Sequence, residues 1–159
     1  MESPLVDKSA AFADRILDMS DYLLEPKEVW KEVNFKGKVS KKKELVRPRY
    51  SVEVVVKQIS RSGTSIGANI AEGVYAQSKD DLISKYSIAI KEASETKYWL
   101  DRLLKRMVID KKMYDSMTTD LAEIIRMLSA AIRTLKAARG GSAGGAEKGE
   151  TSFAEKKRK

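Results

Sequence analysis

A chain of 159 residues carrying 31 Lys and Arg against 23 Asp and Glu, with a net charge of +8, is long enough for one domain with a buried core. It contains neither cysteine nor histidine. That excludes a disulfide framework, a thiol nucleophile, a zinc knuckle, the commonest general base and the neutral-pH switch, so neither an enzyme nor a cofactor is expected.

No apolar run approaches the roughly 20 residues of a membrane span. Met1 to Lys8 is charged and bears a proline, without the apolar segment of a secretory leader. The expectation is a soluble, cytoplasmic protein with no membrane partner.

Residues 9–24 read as a first helix, with Phe12, Ile16, Met19 and Leu23 in one stripe and Asp14, Asp18 and Asp21 on other faces. Ser9 is the expected N-cap, and Pro26 closes the helix by pushing the residue before it out of the α region.

Residues 27–49 form a basic insertion. Lys31, Lys36, Lys38, Lys41, Lys42, Lys43, Arg47 and Arg49 face only Glu32 and Glu44 within residues 31–50. Val29, Val33 and Phe35 alternate, Lys36-Gly37-Lys38 is able to turn the chain, and Val39 to begin a return strand, which is a weak hairpin signal. Charge gathered on an appendage points to an electrostatic partner such as RNA or DNA. Lys36, Lys38, Lys41, Lys42, Lys43, Arg47 and Arg49 are the candidate phosphate contacts. A solvated charged loop is the plainer reading of the same residues.

A second helix is expected from about Ser51 to Tyr75. Val52, Val56, Ile59, Gly63, Ile66, Ile70 and Gly73 step along one face at heptad-like spacing. Each glycine inside a helix costs about 1 kcal/mol relative to alanine, and close approach of another helix is the compensation the pattern suggests. The stretch lacks the GxxxxGK[ST] pattern of a phosphate loop. Gly63, Gly67 and Ala71 form a small-residue ridge, and Asn69 beside an apolar seam is a candidate for fixing register or assembly.

Ser78, with Asp81 three residues on, begins a third helix. Its row is Leu82, Tyr86, Ala89, Ala93, Thr96, Leu100, Leu103 and Met107. Asp110 caps a fourth, with Met117, Leu121, Ile124, Leu128, Ala131, Leu135 and Ala138 in its row, before Gly140-Gly141. The turns joining helices two, three and four are short, so these are antiparallel neighbours. The expected fold is all-α: an antiparallel up-down four-helix bundle over residues 1–139. Residues 140–159, with five glycines and a KKRK end, are expected to be a disordered tail.

QISRSGTSIGANIAEG followed by SKDDLISKYSIAIKEASETKYWLDRL resembles the bacterial four-helix-bundle family that includes proteins encoded by intervening sequences in 23S ribosomal RNA genes. The likeness covers roughly residues 55–136, extends to 9–24, and omits the insertion and the tail. More distantly, the chain is similar to the accessory variability protein of diversity-generating retroelements. The resemblance implies an up-down bundle, a homopentamer with a central channel, no catalytic activity, and nucleic acid or a reverse transcriptase as partner. Its matching residues here are Arg61, Ser62, Gly63, Ser65, Asn69, Ile70, Ala71, Glu72 and Glu92; Arg61, Gly63, Asn69, Ala71 and Glu72 among them, with Gly67 of the ridge, are the packing and assembly candidates. Glu72, Glu92 and Glu95 do not suggest a di-iron centre, which on this scaffold would need Glu-x-x-His motifs.

Overall fold

A computed structural model describes residues 3–140. Helix α1 (Pro4–Leu24) leads into strands β1 (Lys27–Phe35) and β2 (Lys38–Val46), and helices α2 (Tyr50–Gly73), α3 (Lys79–Lys105) and α4 (Lys111–Gly140) follow. The tail expected to be disordered lies outside the described residues from 141 onward. Among the described residues no helix is long and apolar enough to cross a membrane.

The helices form a square. α1 packs on α2 and α4, α3 packs on the same two, and the backbones of the diagonal pairs stand further apart. Cross-helix contacts run in opposite directions at the seams of α2 with α1 and α3, and at that of α1 with α4, where Lys8 meets Glu123 and Arg15 meets Ser116. Ser20 meets Ser60 while Ser9 lies by Gly67. Ser62 meets Thr96 while Gly73 lies by Leu82. Neighbouring helices are therefore antiparallel. Phe12, Ile16, Ile59, Ile66, Ile70, Leu100, Leu103, Leu121, Ile124 and Leu128 are buried at the centre.

α2 approaches its neighbours closely because its facing residues are small. A Cβ on Gly63 would stand 2.8 Å from Ile16 Cγ1 of α1, and one on Gly67 would stand 3.3 Å from the Ser9 carbonyl oxygen. On the other side, the buried Thr96 hydroxyl donates to Ser62 Oγ at 3.0 Å. The apolar and small-residue stripe of α2 thus serves two seams at once.

The chain is not all-α, contrary to the expectation from its helical stripes. β1 and β2 pair antiparallel in a two-stranded sheet, in a register that sets Lys27 opposite Val46 and Phe35 opposite Lys38. Two central residues turn the chain, Lys36 at φ 52° and Gly37 at φ 81°. Positive φ at both positions is the type I′ geometry whose twist matches that of the flanking strands. The Asn34 side chain accepts from Gly37 N–H at 3.1 Å. Alternating valines and a Lys-Gly turn were enough to form a ribbon within the basic insertion.

Helix ends also differ. α1 begins at Pro4 rather than Ser9, with proline in the first turn and Leu5 joining the core. Ser9 is buried within the helix, its hydroxyl donating to the Val6 carbonyl. α3 stops at Lys105, and Met107, expected in the core row, is 91% exposed at φ 54°. α4 outruns its neighbours with 30 residues, so Ala131 and Leu135 are half-buried and Ala138 is exposed.

A basic arm as candidate nucleic-acid interface

Every residue of β1 and β2 is exposed, and beyond the base of the arm neither strand packs against a helix. The ribbon is an arm joined to the bundle at Pro26 and at residues 47–49. At its base the Lys27 ammonium lies 4.3 Å over the Tyr22 ring at the end of α1.

In a paired ribbon, residues directly opposite one another share a face and successive residues alternate faces. One face therefore carries Lys27, Val29, Lys31, Val33 and Phe35 with their partners Val46, Glu44, Lys42, Ser40 and Lys38. The other carries Glu28, Trp30, Glu32 and Asn34 with Leu45, Lys43, Lys41 and Val39. The first face has four lysines against Glu44. The second has two of each sign and is neutral.

The pleat divides the expected cluster. Of Lys41, Lys42 and Lys43, only Lys42 lies on the basic face. Lys43 is on the neutral one, donating to Glu28 at 2.8 Å and lying 5.4 Å over the Trp30 ring. Lys38 joins Lys42 on the basic face near the tip, and Lys36 sits in the turn, 5.7 Å over Phe35. Arg47 and Arg49 are exposed in the link to α2, outside the ribbon.

Lys27 and Lys31 also belong to the basic face, although neither is among the candidates the sequence offers. Lys31 pairs with Glu44 at 2.7 Å. The two-residue turn was the signal that would have found them, because it fixes which β1 lysines stand beside Lys42 and Lys38.

The packing candidates lie elsewhere. Gly63 and Gly67 face α1. Asn69 is half-buried and donates to the Ser65 carbonyl of its own helix at 2.8 Å, while Ala71 is exposed. Glu72 accepts from Lys85 of α3 at 2.5 Å, a bond that holds the ammonium's pKa above its ordinary value. Arg61 stands 3.9 Å from Glu95, which also accepts from Trp99 Nε1 at 3.2 Å. Among the described residues no three acidic side chains converge as a metal site would require.

The family described as 23S rRNA-intervening sequence protein matches residues 25–130, a span that includes the arm. Among solved structures, a protein of unknown function from the S23 ribosomal protein family of Bacteroides thetaiotaomicron is 38% identical, with a TM-score of 0.62. The likeness covers 80% of this chain and 97% of that one. No curated protein matches the chain.

Proposed function

The chain belongs to the 23S rRNA-intervening sequence protein family, and from that premise we propose that it is a non-enzymatic, oligomeric four-helix protein that binds RNA or DNA through its arm. The observation that supports this reading is the basic face, with Lys27, Lys31, Lys38 and Lys42 around Val29, Val33 and Phe35. Phosphate neutralisation supplies the affinity, with little sequence specificity and a steep salt dependence. A two-stranded ribbon has the dimensions to enter a major groove about 12 Å wide. Phe35 is the one aromatic side chain on that face, too few for base stacking to add readout. The resemblance makes a homopentamer the assembly we propose, and several arms on one particle multiply weak contacts.

A second reading is a scaffold for a protein partner such as a reverse transcriptase. It is favoured by Trp30, Val39 and Leu45, each at least 60% exposed on the arm's neutral face.

Fluorescence anisotropy with generic single- and double-stranded oligonucleotides at low salt tests the first reading. The Lys31→Ala/Lys38→Ala/Lys42→Ala variant is expected to bind at least tenfold more weakly than wild type. Lys41→Ala/Lys43→Ala, on the other face, is expected to bind within about threefold of wild type. No binding by wild type would remove the nucleic-acid reading and leave the scaffold.

A further inference from the structure

Asp7, Asp14, Asp18 and Asp21 fall on one line along α1, the last three at the three- and four-residue spacing that stacks side chains on a helix, and Glu25 follows at the C-cap. All five are exposed and lie opposite the core residues Phe12, Ile16 and Met19. Among the described residues none of the five forms an ion pair, whereas Lys8 and Arg15, on another face of α1, pair with Asp120 of α4. Asp14, Asp18 and Asp21 repel one another at this spacing, and among the described residues no basic side chain pairs with them. Leu17, 47% exposed, adds an apolar side chain beside the stripe.

We infer that the basic face of the arm docks along this acidic stripe on a second copy of the chain. Charge selects the occupant. The arm face has four lysines and one glutamate, and α1 offers five carboxylates with no basic residue on their line. Length agrees as well. Asp7 to Asp21 spans about 21 Å of helix with Glu25 just beyond its end, and Lys27 to the level of Lys38 spans about 27 Å of strand. Lysines stand at the base, middle and tip of the arm, with Val29 and Val33 between them to meet Leu17. In this structure the arm meets its own α1 only at its base, where Lys27 lies over Tyr22, so the stripe from Asp7 to Asp21 is open to another copy. Arm and stripe are different surfaces, so two copies exchange arms reciprocally about a two-fold axis, or successive copies close a ring or propagate a chain. It covers the same arm face as the nucleic acid proposed above, and on any one arm the two occupants exclude each other.

The absence of native cysteine makes the test direct. Leu17→Cys and Val33→Cys variants, each at an exposed position, are mixed without nucleic acid, allowed to exchange at low salt, and mildly oxidised. The result expected is a dimer linked from position 17 to position 33, identified by mass spectrometry and at least fivefold more abundant than either like-with-like dimer. It is lost at 0.5 M salt and when Asp14, Asp18 and Asp21 are all changed to Lys. It returns when those changes are combined with Lys31→Glu, Lys38→Glu and Lys42→Glu. Circular dichroism of each variant confirms that the helices are retained. A predominance of 33-to-33 links, yields insensitive to salt, or no 17-to-33 link would overturn the inference. So would rapid closure of an internal disulfide in the chain carrying both cysteines.

Discussion

Tyr114 links α3 to α4 through hydrogen bonds that sequence periodicity does not reveal. Its hydroxyl donates to Asp101 Oδ1 at 2.7 Å and accepts from Lys97 Nζ at 2.9 Å, while Lys97 also donates to Asp101 at 2.7 Å. The Lys97 bond first, and the Tyr114 bond second, hold the Asp101 carboxyl below its ordinary value of 3.8. The Asp101 bond, followed by that to Tyr114, raises Lys97 above 10.5. The carboxylate's contribution to stability is therefore complete above pH 3.8 and lost as pH falls through its lowered pKa. That of Lys97 is complete below pH 10.5 and lost as pH rises through its raised one. Both side chains are more than a third exposed, so solvent screening keeps the ion pair's share small. Tyr114→Phe is expected to cost about 0.5–1 kcal/mol at neutral pH by urea denaturation, and to return the Asp101 titration toward 3.8 in an NMR pH series. At Gly63, a methyl group would press on the branched carbons of Ile16 at 2.8 to 3.1 Å. Overpacking of about 1–3 kcal/mol outweighs the helix-propensity gain of about 1 kcal/mol, so Gly63→Ala is expected to lower the urea midpoint. Gly67→Leu would force its side chain against the Ser9 backbone, with a cost of about 1–3 kcal/mol by the same measurement.

Among the elements, the third helix shows why boundaries are harder to read than stripes. Val108 N–H bonds to the Leu103 carbonyl and Met107 N–H to that of Leu104, the paired bonds that close a helix through a left-handed residue. Glycine is usual at that position, and Met107 fills it here at φ 54°. With methionine there, the apolar row seemed to continue through a residue that the turn expels into solvent. Met107→Gly is expected to stabilise the protein by about 1 kcal/mol, measured as a raised denaturation midpoint with unchanged slope. The start of α1 was misread for a similar reason, since Ser9 suits a cap but is buried against α2, and Pro4 begins the helix. The N-cap of α3 was legible, because Ser78 Oγ accepts from Asp81 N–H at 3.1 Å in the capping arrangement that the spacing implied. The arm was legible only as alternation and a turn. Its basic face depended on the strand register, which residue counts in a lysine-rich segment do not supply.

For the whole molecule, the division of labour follows the charge. A bundle whose seams are made of small residues and buried hydroxyls needs no charged chemistry at its centre. Most of the excess of basic residues in 31–50 is carried on a ribbon that meets the helices only at its base. An isolated two-stranded ribbon is marginally stable in water, so an arm exposed on both faces is most stable when something covers it. The occupants we propose for its basic face are nucleic acid and the acidic stripe of a second copy. The claim on which the proposed function depends is that this one face neutralises phosphates. The slope of log K against log salt concentration tests it, measured for a 20-nucleotide single strand with wild type and with Lys31→Ala/Lys38→Ala/Lys42→Ala. Loss of three phosphate contacts is expected to make the slope shallower by about 2, at about 0.7 per contact. Equal slopes for the two proteins would contradict the account.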